Sequence, residues 1–551
     1  MYLKLDGYEI NLRDGASWLE ALELLPEDKK IPAPLGVSVL GRTYSLNDPA
    51  VEYSFAHVLS YKDEEGRRIY ERSLQLLFIT AVYRVDPALH VRIEHSFGKG
   101  LYISIEGAQV SDELIAKIEA EMRALARRNL PIERKSVTTD HAQDYFARTG
   151  QTDRLRILNY RQYPHFTLYS IDNGPEDYFY GEMVPRTGDV SVFSLVNYAT
   201  GIVLMQPDTD DPARPAPFKD LPKLVRVYQE TAHWHKILSC SNAADLNDMI
   251  VDGRLREFIR VNEALQERKI QSIADQFIAS GARLILIAGP SSSGKTTFSN
   301  RLSIALRVQG LRPVKVSLDD YYRNRADLPV EADGSVDLER IDTLDTDLIS
   351  DHLRRLMAGE TVDLPEYDFH TGTRKAKTTP FCVEAGQPII IEGIHGLNEA
   401  LTEGIERSEK FKLYISALTM LNLDDHNRIR TTDARLLRRI VRDNLFRGTS
   451  PEETMAMWKS VRHGEESYIF PYQEEADAMI NSSLAYELPI MKKYAYPSLC
   501  AIKPSSPHYT LAQRLVKFLN YIQTADVEDE IPVHSILREF IGGSCFYRDG
   551  E

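Results

Sequence analysis

The residues Gly289-Pro290-Ser291-Ser292-Ser293-Gly294-Lys295-Thr296 follow the spacing G-x-x-x-x-G-K-[ST]. Glycines let a backbone curl until successive amides converge, and converging amides grip phosphate oxygens. A helix that begins at the lysine adds the positive end of its dipole. In this pattern Lys295 reaches the outer phosphates of a nucleotide and the Thr296 hydroxyl ligates Mg²⁺. A flexible Gly/Ser turn has the same composition. The apolar run 284–288 before the motif and the helical pattern 295–309 after it favour the phosphate loop.

Acids fall where such a loop needs them. The apolar stretch 313–318 ends in Ser317-Leu318-Asp319-Asp320-Tyr321-Tyr322. A carboxylate at a strand end faces the crevice of a parallel sheet and can take a hydroxyl proton during phosphoryl transfer. Asp319 and Asp320 both suit that role, or both cap the following segment, and spacing does not choose between them. A further strand, 388–391, ends in Glu392-Gly393, the position of an acid that holds metal-bound water. The alternative for Glu392 is an acid stabilised by a helix dipole. His395 follows closely, as a substrate ligand or a satisfied loop histidine. Tyr367-Asp368-Phe369 either lines an acceptor pocket or packs in a core.

Cations form the third element. Arg435, Arg438, Arg439 and Arg442 share an arc of about 100° on a helix, and Arg447 follows. Leu436, Leu437, Ile440 and Val441 occupy the other face. Residues 428–447 hold seven arginines against Asp433 and Asp443. Such a stripe is either a solvated face or a lid that closes over transferring phosphates.

These groups require a scaffold of strands and crossover helices, and 284–318 reads as β-α-β, the mark of a parallel sheet. Residues 246–279 read as helices. Pro207, Pro212, Pro215, Pro217 and Pro222 within sixteen residues mark a linker or an extended strap. Before them lies a mixed α/β half: a hairpin at 2–12 around Asp6-Gly7, a helix at 17–25 capped by Ser17, strands within 37–46 and at 100–106, and a helix at 111–128 capped by Ser111. Residues 535–540 look helical and stop at Gly542-Gly543.

The chain has 551 residues, 81 acidic and 66 basic, for a net charge of −15. That balance excludes a general nucleic-acid coat. No apolar run approaches a membrane span and the first twelve residues carry no secretory pattern. Cys240, Cys382, Cys500 and Cys545 lie far apart, which reads as a reducing, cytoplasmic compartment with no zinc site.

Residues 281–503 resemble the uridine kinase and phosphoribulokinase family. The resemblance rests on Gly289 to Thr297, Ser317 to Tyr322, Pro365-Glu366-Tyr367-Asp368-Phe369, Ile391-Glu392-Gly393 and Arg435 to Asp443. It implies a kinase using ATP and Mg²⁺. Within it Asp319 is the catalytic base beside Lys295, with Arg439 and Arg442 on the transition state. The donor site takes Gly289, Ser291, Ser292, Ser293, Gly294, Lys295, Thr296, Thr297 and Arg447, and the metal takes Thr296 and Glu392. Glu339, Tyr367, Tyr322 and His395 face the acceptor. Where the family places a pyrimidine-reading histidine this chain has Gly372, with His370 out of register. Thr449 and Met457 replace a further arginine and a pocket glutamine. Phosphoryl-transfer residues are thus retained and base-reading residues are not.

The front half is similar to the amino-terminal part of threonyl-tRNA synthetases: residues 1–60 to the β-grasp TGS module and 61–205 to the second, editing-type domain. Ile93 to Gly100 and the stretch from Leu130-Pro131-Ile132 to Tyr145-Phe146 carry that likeness. The segment Arg72-Ser73-Leu74-Gln75-Leu76 lacks the histidines of that domain, and 179–185 lacks its Cys and His, so zinc or editing chemistry is not expected. The expected layout is 1–60, 61–205, a linker with helices at 206–280, the kinase-like domain 281–503 and a helical tail 504–551. The expected fold is an α/β P-loop parallel sheet with flanking helices, preceded by α+β domains. The expected partner is a small-molecule acceptor, foremost a nucleoside. The alternatives are a sugar phosphate, with a basic footprint near Arg374, Lys375 and Lys377, or an RNA- or ribosome-associated module using its front half. No membrane is involved, and an oligomer is compatible with the sequence.

Overall fold

The structure is a computed structural model describing residues 1–52, 54–161, 164–329, 337–368 and 371–547. Phe369 and His370 lie outside the described residues.

Asp6 and Gly7 take positive φ (48° and 87°) and turn Tyr2–Leu5 back on Tyr8–Asn11, as an Asp-Gly pair permits. Ser17 caps the helix Trp18–Glu23 in a reciprocal box with Glu20. These strands join Phe55–Leu59, Gly36–Val39 and Arg42–Tyr44 in a five-stranded mixed sheet, with Tyr2–Leu5 parallel to Phe55–Leu59. The long helix Glu64–Val85 is buried along most of its length. With helix Asp112–Arg128 it covers a four-stranded antiparallel sheet that includes His90–Phe97 and Gly100–Glu106. Ser111 accepts from the Leu114 N–H at the start of Asp112–Arg128. Ile118, Met122 and Leu125 are buried on that helix as its periodicity predicts.

The second half is built on five parallel strands. Their order is Val314–Ser317, Ile389–Glu392, Leu284–Ala288, Lys410–Ser416 and Ala478–Asn481. The middle strand is covered on both faces, which is why Leu284–Ala288 is unbroken apolar sequence. The carboxyl ends of the first three strands carry Asp319, Glu392 and the phosphate loop to one edge of the sheet.

The proline-rich stretch is a strap. Ala216 and Leu221 are buried in one cluster with Phe97 of the front half and with Ala288, Leu397 and Tyr414 of the parallel-sheet half. Helices Ala243–Val251 and Leu255–Ser280 follow it. Packing also ignores the expected boundary at 503. Ile536, Leu537 and Phe540 share a cluster with Leu436, Leu437 and Ile440 of helix Thr431–Phe446, and with Leu246 and Phe166. Among the described residues, no helix is long and apolar enough to cross a membrane.

Candidate active site

The phosphate loop closes on itself as its sequence demands. Ser292 (φ 59°) and Gly294 (φ 82°) take the left-handed conformation that turns successive amides inward. A Cβ on Gly289 would collide with the Ile415 carbonyl, so only glycine lets the loop leave the sheet there. Lys295 Nζ donates to the carbonyls of Gly289 (3.0 Å) and Pro290 (3.3 Å), poised over the loop. The buried hydroxyls of Ser292 and Ser293 have no hydrogen-bond partner within the protein. A polyphosphate would supply acceptors to these donors, so the loop fits one.

The pair expected to hold the metal is also assembled. Thr296 Oγ1 donates to Glu392 Oε1 at 3.2 Å. Burial pushes the Glu392 carboxyl up to about 7, and Asp319 adds to the rise while Lys295 opposes it. Among the described residues no group of three or more His, Cys, Asp or Glu could hold a metal ion. Mg²⁺ is commonly held by one or two protein oxygens plus substrate phosphates and water, so Thr296 and Glu392 fit its donor preference.

Asp319 and Asp320 diverge. Asp320 Oδ1 accepts from the Tyr367 N–H at 3.4 Å and so ties two segments together. The Asp319 side chain reaches solvent inside the crevice. Crowding by the crevice walls raises its pKa, against the pull of Lys295 and Arg447. A basic carboxylate close to Lys295 suits proton acceptance from a hydroxyl.

The residues expected on the acceptor side gather around Glu339. Burial raises its carboxyl to about 7, Glu465 adds to the rise, and Arg439 and Lys295 oppose it. Gly464 packs so closely on Glu339 that an added Cβ would overlap its side chain. The Tyr322 and Tyr367 rings stand 5.6 Å apart, tilted at 47°. His395 is 1% exposed. Burial lowers its pKa to about 4, so it is neutral near pH 7 and lies beside the Glu339–Arg340 backbone rather than open to the crevice. Gly372 has φ 69°, and a Cβ there would stand 2.7 Å from Arg325 Cδ. The backbone at that position therefore disfavours any side chain, a histidine included.

The arginine stripe corrects the sequence reading. Arg435 and Arg438 are 1% and 0% exposed and belong to no mobile lid. Arg435 pairs with buried Glu465 and donates to the Ser291 carbonyl at 2.9 Å. Arg438 pairs with buried Glu487 and lies 5.0 Å from the Phe540 ring centroid. Periodicity placed the four arginines on one arc, but later parts of the chain cover half of it. The cations left at the crevice are Arg439, Arg442 and Arg447, all converging on buried Asp443. Arg439 Nη1 also donates to Ser291 Oγ at 3.1 Å. The expected sugar-phosphate footprint is taken up by protein groups: Arg374 donates to the carbonyls of Tyr321 and Tyr322 and to Asp345, and Lys375 pairs with Glu366.

Comparison with known proteins places this site in a family. A model described as the phosphoribulokinase / uridine kinase family matches residues 284–487. A uridine kinase of Bacillus pumilus is 32% identical over 198 residues, covering 36% of this chain and 85% of that protein. Through residues 284–487 the chain belongs to the phosphoribulokinase / uridine kinase family. A uridine kinase of Deinococcus deserti is 29% identical over 198 residues, covering 36% of this chain and 86% of that protein. A solved structure described as a possible uridine kinase from Bacillus stearothermophilus superposes at a TM-score of only 0.28, with 20% identity, over 40% of this chain and all of that one. Membership in this kinase family supports phosphoryl transfer and implies ATP and Mg²⁺ as donor and metal. The family match ends before Ile536, Glu539 and Tyr547, which the tail brings to the phosphate loop. Neither Glu465 nor Glu539 stands in a motif, and sequence reasoning missed both.

Proposed function

We propose that this protein transfers the γ-phosphoryl group of ATP to a hydroxyl of a nucleoside-like acceptor. The observation that carries this reading is the meeting of Lys295, the Thr296–Glu392 pair and Asp319 at one edge of a parallel sheet. The loop amides and Lys295 hold the donor phosphates. Thr296 and Glu392 would hold Mg²⁺, which would supply positive charge against the transferring group. Asp319 takes the hydroxyl proton. Arg439, Arg442 and Arg447, gathered by Asp443, offset negative charge as transfer proceeds.

On the acceptor side Glu339 contacts ribose hydroxyls, and Tyr322 and Tyr367 flank the base. His395 holds the Glu339 loop from behind. The glycine at 372 removes one hydrogen bond that would read a pyrimidine, so base preference is broader than, or different from, that of a uridine kinase. The pairing of Arg374 and Lys375 with protein groups favours an uncharged nucleoside over a sugar phosphate.

The front half serves as a binding or regulatory scaffold in this reading. Its first sheet has the mixed order of a β-grasp fold, which supports the TGS likeness. Its second domain lies against the kinase half, with Asn422 donating to the Ile93 carbonyl at 2.8 Å.

A turnover screen of nucleosides and sugar phosphates with ATP-Mg²⁺ tests the proposal. We expect product from at least one nucleoside and none from sugar phosphates. Turnover confined to sugar phosphates would overturn the acceptor assignment. Absence of phosphoryl transfer to any hydroxyl would overturn the kinase reading itself.

A further inference from the structure

The chain returns to the phosphate loop long after leaving it. Ile536, Leu537 and Phe540 are fully buried against helix Thr431–Phe446 and fix the segment around them. Ile536 presses on the loop, since a Cβ on Gly294 would stand 2.6 Å from its Cγ2 atom. From this anchored backbone Glu539 reaches the start of helix Lys295–Val308. Its Oε2 accepts from the Thr297 hydroxyl at 2.6 Å and from the Thr297 N–H at 3.2 Å. The Tyr547 hydroxyl stands 3.4 Å from the same Thr297 Oγ1.

The Thr297 N–H is one of the first amides of its helix, which have no partner within it. An ordinary cap is the residue just before the helix. Here that residue is Gly294, which has no side chain, and the acceptor comes from 242 positions further along the chain. A carboxylate on these donors occupies a place where a bound nucleotide would put phosphate oxygens. It also brings a further negative charge to a crevice that already holds Asp319 and Glu392. A neutral acceptor would satisfy Thr297 without that repulsion.

We propose that Glu539 is an internal anion of the donor site: its carboxylate holds the Thr297 N–H and hydroxyl until a nucleotide phosphate displaces it. Glu539 thereby sets the affinity for the phosphate donor. The tail need not unfold for this exchange. Ile536, Leu537 and Phe540 stay in the core while the half-buried Glu539 side chain rotates out. The inference rests on the donor site proposed above and adds a residue from outside the family's matched segment to it.

The test is calorimetric binding of ATP-Mg²⁺ to the full chain, to Glu539→Gln and to Glu539→Asp, with inorganic pyrophosphate as a second probe. Glutamine keeps the volume and an acceptor oxygen for the Thr297 N–H but carries no charge. Aspartate keeps the charge and draws it back from Thr297. We expect Glu539→Gln to bind ATP about tenfold more tightly than the parent, the scale of one charge-assisted hydrogen bond. Pyrophosphate should follow the same order, and Glu539→Asp should gain less. Equal ATP affinity in parent and Glu539→Gln, with unchanged unfolding midpoints without nucleotide, overturns the inference and leaves the donor site standing. If Glu539→Gln does not fold, equal affinity in parent and Glu539→Asp overturns it. If no form binds ATP, the donor-site reading falls and this inference falls with it.

Discussion

The crevice and the seam between the two halves use the same residue types in opposite ways. At the seam, helix Glu64–Val85 meets the loop and helix that carry Arg428, Arg430 and Asp433. Glu71 is buried there, yet Arg430 and Arg428 outweigh the burial and hold its carboxyl down to about 2. Asp433 is likewise lowered against burial by Arg514, Arg68 and Arg430. In the crevice, burial wins, and Glu392 and Glu339 both rise to about 7. The difference lies in compensation. Glu71 and Asp433 are matched by arginines, whereas Glu392 and Glu339 are left short of positive charge. An incoming cation and proton then have work to do.

That contrast can be broken at its strongest point first. Asp319→Asn should lower turnover ~10²–10⁴-fold on the best acceptor, the range of general acid–base catalysis, with the unfolding midpoint unchanged. Unaltered turnover would remove Asp319 from the proposed mechanism. Next, Glu71→Gln should cost ~3–5 kcal/mol in chemical denaturation, because Arg428 and Arg430 would stay buried without their counter-charge.

The two regions should also respond to pH in opposite directions. Glu71 contributes stability above the ordinary glutamate pKa of 4.5, and that contribution is lost as pH falls toward about 2. Glu392 has a raised pKa, so the folded state binds more protons than the unfolded state between 4.5 and about 7. Its contribution is therefore lost as pH rises through that window. Glu392→Gln should flatten the decline in stability from pH 5 to 8, while Glu71→Gln should flatten only the acid limb. A decline that persists unchanged in Glu392→Gln would refute the assignment. The smallest effect belongs to Lys375→Ala. Its pair with Glu366 is exposed and screened by solvent, so neither the unfolding midpoint nor acceptor KM should move.

The phosphate loop, the strand-end acids and the parallel sheet were legible because each is local: a glycine spacing, an apolar run and an acid at the end of that run. The hairpin at Asp6-Gly7 and the caps at Ser17 and Ser111 were legible for the same reason. The arginine stripe was half legible. Helical periodicity gives the face on which Arg435 and Arg438 lie, but not that Glu465, Glu487 and Phe540 would cover it. Asp443 was visible only as a charge in a count, although it gathers three arginines. Glu539 could not be found at all, because its meaning depends on a contact with Thr297 across 242 positions. The proline-rich stretch was half legible too: prolines exclude a packed helix there, yet Ala216 and Leu221 still bury against both halves.

The placement of Ile536, Leu537 and Phe540 has a consequence for synthesis. While a ribosome is still working toward residue 530, helix Thr431–Phe446 has already been made, but the surface of it that these side chains cover is open. Such contacts, distant in sequence, delay completion of a core and leave apolar surface available to chaperones or to neighbouring chains. The nascent protein would then acquire its finished phosphate loop and its last apolar packing in a single late step.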